Sequence, residues 1–154
     1  MIHAKRKWMG SAAVALALLG AASTASAWTK FKNSTANTVW LAYAYQSVSG
    51  VACGYSTCGG GWRVQGWWQI APGGTVTVNG HDHHNAKHHF YAQDQFGHIW
   101  NGTGTQQRLE TGAFDYCNGI INPGDWIEKF QIVRNTTCCG FWCDPVNYTA
   151  NLVL

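Results

Sequence analysis

Apolar positions along this chain recur at every second residue, in short runs separated by turn residues. In Thr38 to Val48 (TVWLAYAYQSV), Val39, Leu41, Tyr43 and Tyr45 share one face, and Trp40, Ala42 and Ala44 share the other. A strand that is apolar on both faces belongs in the middle of a layered β structure. Trp62 to Ile70 and Thr75 to Asn79 flank the turn Ala71-Pro72-Gly73-Gly74. There proline presets φ and glycine supplies its positive range. Further runs of the same kind cover Trp28 to Asn33, His88 to Gln95, His98 to Trp100, the stretch around Phe114 and Tyr116, Trp126 to Arg134, and Tyr148 to Leu154. Asn122-Pro123-Gly124-Asp125 marks another turn. Ser49 to Gly61, Asn101 to Gln107 and Thr137 to Pro145 read as loops. No segment after residue 27 carries the i, i+3, i+4, i+7 pattern of an amphipathic helix. The expectation is an all-β domain of roughly eight strands, an antiparallel sandwich or a small barrel.

The first 27 residues follow a different logic. Lys5, Arg6 and Lys7 precede an apolar run from Ala12 to Ala22, and Ala25-Ser26-Ala27 places small residues where a signal peptidase reads them. Residues 1–27 are therefore expected to be a cleaved signal peptide and residues 28–154 a single β domain, secreted or periplasmic. The apolar run is shorter than the roughly 20 residues needed to span a bilayer, so no membrane span is expected after cleavage. Removal of the leader changes the charge balance. The chain has 10 Lys and Arg against 7 Asp and Glu, a net charge of +3. Three of those bases and none of the acids precede Trp28, which leaves seven of each. A neutral mature domain lacks the cationic footprint that nucleic acid requires.

All six cysteines, Cys53, Cys58, Cys117, Cys138, Cys139 and Cys143, follow the leader. An even number in a short exported chain points to a disulfide framework. Cys53 with Cys58 would clip the neck of the Ser49–Gly61 loop. Cys117 would then pair with one of the three later cysteines. The spacings lack the paired C-x-x-C knuckles of a cysteine zinc site.

Two features carry candidate chemistry. The segment His81-Asp82-His83-His84-Asn85-Ala86-Lys87-His88-His89 holds five of the seven histidines. Neutral imidazoles brought together by a hairpin, with Asp82 beside them, would suit Zn, Cu or Ni. A solvated loop and a patch that charges in mild acid are the competing readings. The second feature is aromatic: after residue 27 the chain keeps eight of its nine tryptophans. Trp62, Trp67, Trp68 and Trp100 are candidates for a ligand platform that would stack on sugar rings, against a bland reading as core. Trp67 and Trp68, as neighbours on a strand, are expected to face opposite ways. Support for catalysis is thin. Gly54-Tyr55-Ser56-Thr57-Cys58 resembles a nucleophile elbow but ends in cysteine where glycine is required. Asp94, Glu110 and Asp115 have no spacing that would make them a glycosidase pair. No catalytic residue is assigned.

Gly66-Trp67-Trp68-x-Ile70-x-Pro72-Gly73, then Phe90-Tyr91-Ala92, Gly97-x-x-Trp100-x-Gly102 and Phe114-x-x-Cys117, resemble the DUF1036 family of small exported bacterial proteins. The likeness spans residues 30–120. That family has no assigned activity, so the resemblance implies export and no catalytic residues. The histidine-rich segment at 81–89 and the Cys138-to-Cys143 loop depart from its pattern. The sequence thus leads to a secreted, non-catalytic binding module, with a divalent transition metal at the histidine loop as its most concrete form. A structural or surface-interaction protein, and carbohydrate-directed binding or hydrolysis, are the alternatives, with a cell-surface or carbohydrate partner.

Overall fold

The computed structural model describes residues 28–47, 58, 61–79, 86–117, 119–135 and 147–154. Eleven strands lie among them, in chain order: β1 (Thr29–Asn33), β2 (Val39–Ser47), β3 (Trp62–Ile70), β4 (Thr75–Asn79), β5 (Ala86–Asp94), β6 (Ile99–Trp100), β7 (Gln106–Leu109), β8 (Phe114–Cys117), β9 (Trp126–Lys129), β10 (Gln131–Asn135) and β11 (Tyr148–Leu152). The architecture is sandwich-like, all-β and stapled by a disulfide; no sheet closes into a barrel. Among the described residues no helix is long and apolar enough to cross a membrane.

β2 is the spine of the largest sheet. It pairs antiparallel with β3 on one side and with β5 on the other. β8 extends the sheet beyond β3, while β10 and the short β6 share the outer edge of β5. A second sheet runs β11-β1-β4, and a third consists of β7 and β9 alone. All pairings are antiparallel except β1 with β11, which run parallel, a departure from the purely antiparallel expectation.

The two-faced pattern of β2 explains why the central sheet is covered on both sides. Val39, Leu41, Tyr43 and Tyr45 point into one core with Phe31, Ile70, Phe90, Ala92 and Leu152. Ala42 and Ala44 point into the other, with Val64, Tyr91, Leu109, Phe114 and Phe130. Phe31 on β1 and Leu152 on β11 belong to the first core, and Leu109 on β7 to the second. Each fully buried large apolar side chain contributes about 1.5–3 kcal/mol relative to exposure, so leaving either face bare would forfeit several such terms. The small residues Ala42, Ala44 and Gly66 line the second core, where room is taken by rings. A Cβ on Gly66 would lie 2.8 Å from Cζ of Phe114.

The turns follow their local chemistry. Gly74 N donates to Ala71 O over 2.9 Å, with Gly73 at φ 72°, and Asp125 N donates to Asn122 O over 3.2 Å, with Gly124 at φ 93°. Both have proline second and glycine third, the type II arrangement. The buried Asn33 ties two turns together. Its Nδ2 donates to Asn37 O (2.7 Å) and Ile70 O (2.9 Å), and its Oδ1 accepts from the backbone N–H (3.0 Å) and hydroxyl (2.8 Å) of Thr35.

Three sequence expectations are corrected. The Asn101–Gln107 loop gives way to β7, whose residues Gln106–Leu109 hold only one apolar side chain; it is a strand because it pairs with β9. The run Trp126 to Arg134 is two strands, not one. β9 lies in the two-stranded sheet and β10 in the central sheet, and the chain crosses between them at fully buried Phe130. The run has no turn residue at Phe130 that would mark that crossing. Finally, Cys58 bonds Cys117, with Cα atoms 5.3 Å apart, so the expected Cys53–Cys58 clip does not form and Cys117 does not pair with a later cysteine. The expectation weighed only loop length. Pairing of β8 with β3 places Cys117 opposite Arg63, near Cys58 at the start of that strand. Cys53, Cys138, Cys139 and Cys143 lie outside the described residues.

Candidate functional site

The histidine segment divides. His81, Asp82, His83 and His84 lie outside the described residues. His88 and His89 are consecutive on β5, so they point to opposite faces of the central sheet, and both are buried. His88 faces the first core, where Nδ1 shares a short hydrogen bond with Tyr43 Oη. His89 faces the second side; its Nδ1 accepts the backbone N–H of Thr105 over 3.1 Å, and its ring lies 4.6 Å from that of Trp62. The two imidazoles therefore lie on different sides of the central sheet, and the His81 and His83 expected to join His89 at a metal lie outside the described residues. Among the described residues no three His, Cys, Asp or Glu side chains form a group that could hold a metal.

The four tryptophans of the expected platform also separate. Trp68 packs against the first core, and Trp67 and Trp62 against the second, so Trp67 and Trp68 do face opposite ways. Trp100 leans on the first core and donates its Nε1–H to Val153 O over 2.9 Å. Only Trp67 of the four reaches a cleft of about 430 Å³, where Trp40, Trp126, Gln93, Asp94, Gln95 and Thr111 join it. Trp40 and Gln93 are cross-strand partners on β2 and β5, while Trp126 begins β9 in the facing layer. The cleft is thus the mouth of the second core, opened where the small β7–β9 sheet stops short of the end of the central sheet.

Its rings are fixed by their surroundings. Trp67 and Trp126 stack with centroids 5.6 Å apart and planes 26° from parallel. Phe114 meets Trp67 edge-on at 5.8 Å, and Tyr91 meets Trp126 edge-on at 6.3 Å. Both indole nitrogens are engaged inside the protein: Trp67 Nε1 donates to Glu110 O over 2.7 Å and Trp126 Nε1 to Glu128 Oε1 over 2.9 Å. What the two rings offer to the cleft is therefore apolar ring surface.

The polar lining is equally constrained. Burial, helped by the negative charge of Glu128, pushes the Tyr91 phenol up to about 12. It thus stays an O–H donor and gives its proton to Gln93 Oε1 over 3.2 Å. That assignment leaves the Gln93 amide its N–H groups for a ligand. Asp94 has no exposed side-chain surface. Burial would raise its pKa, but hydrogen bonds from the His98 side chain (2.7 Å), Asn37 Nδ2 (2.7 Å) and the backbone N–H groups of His98 and Phe96 (2.9 Å each) outweigh it and hold the carboxyl well below the usual range.

The Asp94–His98 pair has the geometry of a base-orienting carboxylate. Yet the same carboxylate accepts two backbone N–H groups of the turn that ends β5, and His98 does not line the cleft. The pair reads as a turn lock. The other carboxylates weighed for hydrolysis are committed elsewhere: Asp115 to Arg63 (2.6 Å) and Gln65 (2.9 Å), Glu110 to Arg108 (2.9 Å). Of these three only Asp94 lines the cleft.

Sequence reasoning missed Trp40 and Trp126 as site residues. Trp40 was legible as an apolar residue on the second face of β2, and Trp126 as the head of an alternating run, but nothing local signals that the two meet. Comparison with family models, with curated proteins and with solved structures finds no match to this chain, so the site rests on its own geometry.

Proposed function

We propose that this chain is an exported, non-catalytic binding module whose ligand docks in the cleft lined by Trp40, Trp67 and Trp126. The observation that carries the reading is the convergence of these three half-buried indoles, drawn from β2, β3 and β9, on one concave surface with the side chains of Gln93, Gln95 and Thr111. Small-ligand sites are concave, largely apolar and supplied with a few fixed polar groups, within about 300–1,000 Å³. The cleft meets each criterion. Export is supported by the leader pattern of residues 1–27 and by the Cys58–Cys117 bond, a pairing at home in an oxidising compartment.

The test is site-resolved. Indole N–H resonances of the full mature protein are followed by NMR against a set of neutral sugars, charged sugars and quaternary ammonium compounds. Binding by any of them that shifts Trp40, Trp67 and Trp126, and that Trp40→Ala weakens about tenfold without lowering the unfolding midpoint, supports the reading. No shift at any of the three with the whole set overturns it. Amino-terminal sequencing of the native protein should begin at Trp28; an intact leader would overturn the export part alone.

A further inference from the structure

We infer that the cleft is selective for neutral hexopyranose glycans; the inference rests on the binding reading above and narrows its ligand class. Three independent constraints lead there. The first is shape. Trp67 and Trp126 are stacked, 26° from parallel, and together with Trp40 they line the cleft with indole surface. The C–H face of a pyranose is flat, apolar and slightly positive, which complements the negative face of an indole. A compact trimethylammonium group is instead best held where several ring faces turn toward one point, whereas Trp67 and Trp126 each turn one face toward the other.

The second constraint is hydrogen bonding. Gln93, Gln95 and Thr111 are all uncharged and offer both donors and acceptors. Sugar hydroxyls also donate and accept, so each can be matched by an amide or a hydroxyl. Tyr91 fixes which end of the Gln93 amide faces the cleft, a specificity that an apolar ligand would leave unused.

The third constraint is charge. Among the described residues no Lys or Arg lines the cleft, so uronic acid or phosphate groups would enter without a counter-charge from them. The one acid among the described lining residues, Asp94, has no exposed side-chain surface and its oxygens are engaged by Asn37, His98 and two backbone amides, so it offers a bound cation no direct contact. Both signs of charged ligand would give up hydration without recompense.

The experiment screens the full mature protein on an array of neutral and uronic-acid-containing oligosaccharides, with choline titrated separately by calorimetry. Neutral oligosaccharides are expected to bind and the acidic ones to fail. Trp40→Ala and Gln95→Ala are each expected to weaken association about tenfold, the equivalent of about 1.4 kcal/mol, with unchanged thermal unfolding. Trp40→Phe should recover most of the loss, because a ring face is restored. Binding of choline or of acidic glycans at the three indoles, with neutral glycans silent, would overturn this selectivity and leave the binding module standing. Silence of all three ligand classes would overturn both.

Discussion

The indole of Trp67 lies stacked on that of Trp126, centroids 5.6 Å apart, although β3 and β9 belong to different sheets. The contact joins the central sheet to the small β7–β9 sheet and sets the width of the cleft between them. Trp67→Leu and Trp126→Leu should each destabilise the fold by about 1–3 kcal/mol, less than a fully buried tryptophan because both rings are half exposed. In a double-mutant cycle from urea unfolding, the pair should couple by about 0.5–1.5 kcal/mol. Additive losses would mean that the stack carries no energy of its own.

Asn33 is fully buried, and its amide serves four partners. Asn33→Ala would leave the carbonyls of Asn37 and Ile70 and the N–H of Thr35 without that partner, a cost of about 2–4 kcal/mol. Asn33→Asp should cost at least as much, because an acceptor would then face two carbonyls. Chemical denaturation of the two variants checks this. The same burial bears on the Asn33-Ser34-Thr35 sequon, since a side chain this enclosed does not accept a glycan in the folded protein.

Gly66 is defined by what sits above it. A methyl there would meet Phe114 Cζ at 2.8 Å and Ala42 Cβ at 3.3 Å. Gly66→Ala should destabilise by about 1–3 kcal/mol through overpacking. Adding Phe114→Leu should return part of the loss, and a purely additive pair would mean that Phe114 is not the obstacle.

Stability should bend at both ends of the pH scale. Tyr91 has its pKa raised from 10.0 to about 12, so its contribution is complete below pH 10 and vanishes as pH climbs through 12. Tyr91→Phe should flatten the alkaline limb of the unfolding curve, and a spectrophotometric titration should show a late tyrosine ionisation in the native protein that this variant loses. Asp94 behaves in the opposite sense. Its pKa lies below the ordinary 3.8, so its contribution is whole above that value and fades as pH falls further. Asp94→Asn should lower stability at neutral pH and make the acid limb shallower. Unchanged limbs in both variants would refute these assignments.

Much of this fold is legible in single side chains. The double-sided alternation of β2 requires a cover on each face, and Pro72-Gly73 and Pro123-Gly124 specify their turns directly. What is not legible depends on pairing. Gln107 is buried on β7, where its Nε2 donates to Thr105 Oγ1 over 2.9 Å, yet in sequence it is one of several polar residues in a Gly/Thr/Gln stretch. Trp126 to Arg134 carries apolar residues at Trp126, Ile127, Phe130, Ile132 and Val133 with no turn residue between them, so the passage between sheets at Phe130 has no local mark. The site inherits that difficulty. Trp62, Trp67, Trp68 and Trp100 cluster along the chain but scatter in space, while Trp40, Trp67 and Trp126 are far apart along the chain and converge. His88 and His89 teach the same lesson, since adjacency on a strand sends them to different sides.

The parallel pairing of β1 with β11, Thr29 beside Tyr148 through Asn33 beside Leu152, has a consequence for how the molecule is made. A ribosome delivers the first of these strands long before the second, and until then one edge of β1 waits. Loop-closure entropy over nearly the whole of the described chain must be met before that edge is sealed. A chain built this way postpones its final closure until its tail has emerged.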